Sequence, residues 1–342
     1  MNPSRQSPHF LGSRYDGIRG AEATGPRQNA RGLTHQYKPK EKRVNVPKVV
    51  STRRPQHKPK LGQHFLANDS FALQIVDALG DASQNTVLEI GPGRGVLTSL
   101  LAKRVRRLIA VELDRVLAAQ LRLRFGMFPN VEVIEADILS IDIDSLFGPK
   151  PGLSRPGIQL KPEPVKVIGN LPYYITSDIL LRLFDYSKYF ETVVILVQKE
   201  VADRIAAEPG SRDYGLLSAT TQLYARVEKL FTLPPGAFAP PPKVHSTVLR
   251  LTMAPRQQEL GLSPESLGKD GVGKSGFIDF LKLSFGQKRK TLWNNLKADY
   301  PEPRLRAALA QAGVKPAARA ETLSLAESAA LFRALRGNHD GS

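Results

Sequence analysis

Residues Gly169-Asn170-Leu171-Pro172-Tyr173-Tyr174 contain an amide, a proline and two phenols, and no acid, histidine or thiol. The set suits a reaction at an amine whose lone pair is delocalised, such as the exocyclic amine of adenine. That amine is a poor nucleophile, but it becomes acidic once alkylated, so a strong base is not required. Acceptors that grip its hydrogens and favour a tetrahedral nitrogen are what help. The side-chain oxygen of Asn170 is one acceptor. The carbonyl of Leu171 is a second, held in place because Pro172 restricts the residue before it. Tyr173 offers a face to the base. The chemistry is positioning by hydrogen bonds rather than acid–base catalysis.

A second constellation lies upstream. Glu89 to Gly95 reads "EIGPGRG" between an apolar run and a helical pattern. Glycines in such a turn let backbone approach a ligand closely. Glu112 ends the next apolar run, 21 residues after Gly91, where a carboxylate can accept both ribose hydroxyls of a nucleotide. Asp137 ends the run after that and can take the exocyclic amine of an adenine. Three such groups at successive strand ends point to an adenosine-containing cofactor. A nicotinamide site prefers G-x-G-x-x-G and needs a hydride-transfer site; here the spacing is G-x-G-x-G. S-adenosyl-L-methionine has no phosphate, and its amino-acid end can rest on this loop. "GKDGVGKS", Gly268 to Ser275, fits the phosphate-loop pattern literally. It lacks the buried strand such a loop needs before it, and is read as a chance match.

These groups need a scaffold, and the periodicity supplies one. Strands are predicted at Thr86–Gly91, Arg107–Asp114, Val131–Asp137, Val165–Asn170 and Thr192–Gln198. Helical patterns fall between them, the first at Phe71–Gly80 with Asn68 to Ser70 as candidate caps. Alternating strands and helices mean an α/β, doubly wound parallel sheet. Two later runs, Ala225–Leu230 and Ser246–Thr252, suit an antiparallel edge. After Met253 the strand signals stop and three or more helices follow, read as a smaller all-helical domain. Gly148 to Pro164 carries five prolines and no period, and is read as a surface insertion. The division expected is a disordered basic tail over 1–57, a catalytic domain over 58–252 and a helical RNA-recognition domain over 253–342.

Composition narrows the chemistry. The 342 residues include no cysteine, which removes disulfides, thiolate zinc sites and thiol nucleophiles. No apolar run approaches the ~18 residues a membrane helix needs, so no membrane partner is expected. The formal net charge is +17, and residues 1–60 hold 14 Lys and Arg against 3 Asp and Glu. A basic tail on a mildly basic body suggests a polyanionic partner such as nucleic acid. Lys288-Arg289-Lys290 is a second basic cluster, suited to phosphate contacts.

"LGQHFL", "EIGPGRGVLT", "VELD", "EAD", "GNLPYYI", "FAPPPKVHS" and "FGQKRKTLWNNL" occur in that order. Together they closely resemble the small-subunit (16S) ribosomal RNA adenine dimethyltransferases, from about Lys58 to Leu335. The resemblance implies a Rossmann-like S-adenosyl-L-methionine-dependent methyltransferase domain. It implies dimethylation of two adjacent adenosines in a hairpin near the 3′ end of small-subunit rRNA, on the immature small subunit, by a cytoplasmic monomer. Carried over by position, the cofactor contacts are His64, Leu66, Gly91, Glu112, Asp137 and Asn170. The target base lies by Asn170, Leu171, Pro172 and Tyr173, with Phe238 stacking on it. The family often has Asn where this chain has His64. Two other readings share the motifs: a large-subunit rRNA adenine methyltransferase of the macrolide-resistance type, and a non-catalytic ribosome-assembly or transcription factor on the same fold.

Overall fold

A computed structural model describes residues 64–148, 163–263, 266 and 276–337. The basic tail, nearly all of the Gly148–Pro164 insertion and the whole of Gly268–Ser275 lie outside the described residues.

Seven strands form one sheet. Five are parallel: β2 (Thr86–Ile90), β3 (Arg107–Glu112), β4 (Val131–Glu135), β5 (Val165–Asn170) and β6 (Phe190–Gln198). Two close the far edge antiparallel, β7 (Ala225–Leu233) and β9 (Ser246–Met253), in the order β4-β3-β2-β5-β6-β9-β7. The order reverses between β2 and β5, and the crevice beyond the carboxyl ends at such a point is where open α/β sheets bind ligands. Gly91, Glu112 and Asn170 all fall on that edge.

Successive residues of the central strands face two separate cores. Leu88, Ile109, Val167 and Val193 belong to one; Val87, Leu108, Ile168 and Val194 belong to the other. Both faces are therefore covered, which is why these strands read as continuous apolar runs. The second core is roofed by α1 (Asp69–Asp77) and α2 (Val96–Leu101). The first is roofed by α4 (Ile143–Phe147), α5 (Thr176–Asp185), α6 (Lys199–Ile205) and α7 (Leu216–Tyr224). Lys166 is the basic exception in a buried strand. Its Nζ donates to the carbonyls of Leu79 (2.9 Å) and Asp81 (2.6 Å), so the ammonium satisfies the end of the α1 turn.

Beyond β9 come α8 (Phe277–Ser284), α9 (Leu292–Leu296), α10 (Glu302–Gln311) and α11 (Leu325–Arg336). α11 opens with a capping box: Ser324 accepts from Glu327 N–H, and the Glu327 carboxylate accepts from Ser324 N–H. Phe277, Phe280 and Phe332 pack on one another within the same core that reaches Leu88 and Val167. The change at residue 252 is thus a change of secondary structure over a continuous core.

Several boundaries move. The first helix begins at Asp69, because the Asn68 side chain accepts from Phe71 N–H and caps it. β4 ends at Glu135, so Asp137 stands in the turn after the strand rather than on it. α7 has no counterpart in the helical patterns read from the sequence; seven of its nine residues are buried, so it carries no one-sided stripe. A two-residue pair, β1 (Phe65–Leu66) with β8 (Phe238–Ala239), is also new, joining Leu66 to Phe238 and Phe65 to Ala239.

Candidate active site

The turn between β2 and α2 carries Gly91, Gly93 and Gly95, with φ of +64°, +57° and +77°, a region L side chains rarely adopt. A side chain at Gly95 would also force its neighbours to shift: a Cβ would lie 2.7 Å from Leu121 Cδ2 and 2.9 Å from Phe125 Cε2. The turn is therefore pressed onto α3 (Arg115–Phe125). Glu112, only 3% exposed, holds the loop from the next strand. Its Oε2 accepts from Gly93 N–H and its Oε1 from Asp114 N–H, each at 2.9 Å. Each carboxylate oxygen keeps a second lone pair, so ribose hydroxyls can still donate to it. Asp137 turns one oxygen back on Leu139 N–H (2.9 Å); among the described residues its other oxygen meets no donor. Beside the loop opens a cleft of about 550 Å³ whose lining includes Phe65, Arg94, Asp114, Leu117, Gln120 and Pro240, within the range of small-molecule sites. The Arg94 guanidinium lies 4.5 Å over the Phe65 ring. A glycine backbone, two acids with spare acceptors and this cleft fit an adenosine cofactor whose tail carries no phosphate.

Glu89 lies beneath the loop and was singled out by no spacing rule. It faces inward from β2, fully buried, and accepts from Thr98 Oγ1 at 2.8 Å. Its Oε1 has no partner among the described residues. Burial pushes its pKa up to about 8, and the nearby Glu112 charge adds to the rise, against the lowering by Thr98. At neutral pH Glu89 is therefore mostly a neutral carboxyl. The available signal was a lone acid inside an apolar strand.

Asn170 ends β5. Its Nδ2 donates to the His64 carbonyl at 3.1 Å, which fixes the amide plane and leaves Oδ1 as the open side. Leu171 N–H donates to the Leu196 carbonyl at 3.1 Å, whereas no donor among the described residues reaches the Leu171 carbonyl. The Pro172 carbonyl is taken up by Ile175 N–H and Thr176 Oγ1 at the start of α5. Tyr173 is half-buried; its hydroxyl shares a hydrogen bond with Ser246 Oγ at 3.3 Å. Its ring lies 6.0 Å from that of His64, nearly parallel at 24°. Tyr174 is 72% exposed and stands apart.

His64, Leu66 and Phe238 belong to a strap across this corner. His64 Nδ1–H donates to the Pro240 carbonyl at 2.7 Å, and Ala67 N–H donates to the Ala237 carbonyl. Sequence pattern could not show that the strap's carbonyl orients Asn170. Leu66 and Phe238 are both buried, and Phe238, 3% exposed, packs in the core with Ile168 and Leu196. The structure thus brings Asn170, Leu171, Pro172, Tyr173 and His64 to one corner, and Gly91, Glu112 and Asp137 to the neighbouring one. Phe238 backs the corner from the core and presents almost no open face. Lys288, Arg289 and Lys290 are exposed, and Lys288 Nζ donates to the Arg212 carbonyl.

The model of the ribosomal RNA adenine dimethylase family matches residues 54–336. The chain belongs to that family. It is 56% identical over 293 residues to a ribosomal RNA small subunit methyltransferase A of Koribacter versatilis, covering 85% of this chain and 99% of the relative. The protein of the same name from Acidobacterium capsulatum is 54% identical, covering 82% of this chain and 91% of its own. Among solved structures, the 23S rRNA methyltransferase ErmE superposes with a TM-score of 0.57 at 28% identity, over 80% of this chain and 100% of that one. A dimethyladenosine transferase from Plasmodium falciparum gives 0.60 at 22% identity, over 78% and 96%, and speaks for the dimethylase fold alone.

Proposed function

We propose that this protein transfers methyl groups from S-adenosyl-L-methionine to the N6 amines of two adjacent adenosines near the 3′ end of small-subunit rRNA, giving dimethyladenosines. The observation that carries the reading is the Asn170 amide. Its nitrogen is held by the His64 carbonyl, so its oxygen is offered to a donor, and the target amine has two hydrogens to give. The Leu171 carbonyl, equally open, takes the second. Both bonds strengthen as the nitrogen becomes tetrahedral, which is binding specific to the transition state. The cofactor, when bound, supplies an electrophilic methyl on sulfur; the proton leaves the alkylated amine for water. Glu112 holds the ribose, Asp137 the adenine amine, and the Gly91 turn with the backbone of His64 and Leu66 encloses the rest. Tyr173 gives the flipped base a stacking face, with Phe238 supporting that pocket from the core.

The substrate assignment rests on the relatives, which are named for the small subunit at 54–56% identity. The protein acts as a cytoplasmic monomer on the immature subunit. Lys288, Arg289 and Lys290 contact phosphates there, and residues 1–57 add salt-sensitive affinity. The test is methyl transfer to purified small and large subunits lacking the modification, with methylated nucleotides resolved by mass spectrometry. Dimethyladenosine on the small subunit is expected. Transfer to the large subunit alone would move the protein to the 23S-modifying branch, and binding without transfer would make it an assembly factor.

A further inference from the structure

A second cleft, of about 390 Å³, opens beside the Asn170 corner, with Gln198, Lys199, Asp203, Asp213, Lys243 and His245 in its lining. Its position follows from register. Asn170 pairs with Leu196 on β6, and Gln198, two residues further on, pairs with Ser246 on β9. Two residues along one strand and one strand across put Gln198 roughly 8 Å from Asn170. Partners in an antiparallel ladder share a face, so the Gln198 side chain lies on the side from which Ser246 reaches the Tyr173 hydroxyl. Lys199 N–H donates to the His245 carbonyl at 2.9 Å and holds the two walls together.

The side chains match one kind of ligand. Among the described residues no hydrogen bond or ion pair engages the side chains of Gln198, Lys243 or His245, and Lys243 and His245 are exposed. A glutamine amide reads the N6 and N7 edge of adenine with two hydrogen bonds. A histidine ring is a stacking surface for an unpaired base, and a lysine is a phosphate contact. Asp203 is neutralised by Lys199 at 2.6 Å and Lys229 at 3.1 Å, leaving Asp213 as an acceptor for an exocyclic amine. From this cleft the Arg212 carbonyl leads to Lys288, so the surface continues into the exposed basic turn.

We propose that this cleft is a second nucleotide site, holding the adenosine next to the target while the target occupies the Asn170 corner. Gln198 reads its base, His245 stacks on it and Lys243 holds its phosphate. The inference rests on the functional reading above. It accounts for how one active site can work on neighbouring adenosines: whichever is not being methylated has a place of its own.

The test uses the full chain and small subunits reconstituted with rRNA carrying, beside the target, either adenosine or 7-deazaadenosine, which lacks N7. Single-turnover transfer to the target is measured with saturating cofactor. With native RNA, Gln198→Ala should slow transfer about tenfold, and affinity for S-adenosyl-L-methionine should be unchanged by calorimetry. With 7-deazaadenosine, which can keep only the N6 bond to Gln198, the wild-type chain should slow partway, and Gln198→Ala should cost less than it does on native RNA. Lys243→Ala, at an exposed position, should slow both RNAs equally. Equal slowing of both RNAs by Gln198→Ala, or no slowing at all, would overturn the proposal while leaving the functional reading standing. Absence of transfer by the wild-type chain to native subunits would instead overturn that reading, and this site with it.

Discussion

Glu112 uses both carboxylate oxygens on the backbone of its own loop. Among the described residues Asn170, two strands away on the same edge, engages only its amide nitrogen and keeps its oxygen open, as Leu171 keeps its carbonyl. The first corner is built before any ligand arrives: left-handed glycines and a bridging acid hold the loop in one shape. The second is held only from behind, by the strap at His64, and its acceptors await a donor. A cofactor is the same molecule in every turnover, so its site can be rigid. An amine that changes geometry during reaction needs acceptors that are aimed but not satisfied.

If that contrast holds, damage to the first corner should appear in cofactor affinity. The largest effect is expected at Glu112. Two charge-assisted hydrogen bonds at about 1.5–3 kcal/mol each predict that Glu112→Ala weakens S-adenosyl-L-methionine binding at least 100-fold by calorimetry. Glu112→Gln should also fall short, because its amide NH2 meets a backbone N–H that now has no acceptor.

The next effect is on stability and its pH dependence. Glu89 has a folded pKa of about 8, above its ordinary 4.5. The folded state therefore holds the extra proton between those values. Stability falls as pH rises through that window and levels off above it. Glu89→Gln mimics the neutral carboxyl and should flatten the curve, with a relative gain of up to a few kcal/mol near pH 8. Thermal unfolding of both proteins between pH 5 and 9 reads this out; parallel curves would mean that Glu89 is charged in the fold.

Smaller losses are expected at Tyr173 and at the basic turn, and leave cofactor binding alone. Tyr173→Ala should weaken capture of the base by about 1–3 kcal/mol, seen as slower single-turnover transfer at subsaturating subunits. Smallest at moderate salt is the triple change Lys288→Ala, Arg289→Ala and Lys290→Ala, which should flatten the salt dependence of subunit binding. An unchanged salt slope would remove the turn from the RNA path.

The two corners were also unequally readable in sequence. Gly91, Glu112 and Asp137 announce themselves because a parallel sheet repeats its strand ends at regular spacing. The central strands are apolar throughout because both faces are covered. Asn170 and Leu171 were recognisable by residue type, since Pro172 restricts the chain before it. What holds Asn170 was not, because the His64 carbonyl comes from 106 residues away, and a backbone group leaves no mark in composition. Gln198 and His245 were overlooked for the same reason: each is ordinary alone and gains meaning only from the pairing of β6 with β9. Phe238 shows the reverse, a residue whose motif suggested an open ring and whose ring lies in the core.

The central claim is that Asn170 acts on the reacting nitrogen and on little else. Asn170→Ala removes the aimed oxygen and leaves the strap and the glycine turn in place. Single-turnover methyl transfer to unmethylated small subunits should drop by about 100-fold or more, the scale of losing one positioned transition-state hydrogen bond. Subunit affinity, spread over many phosphate contacts, should change less than about threefold. Asn170→Asp, which keeps an acceptor, should recover part of the rate. An Asn170→Ala protein that transfers methyl groups at the wild-type rate would contradict the account and reduce Asn170 to the end of a strand.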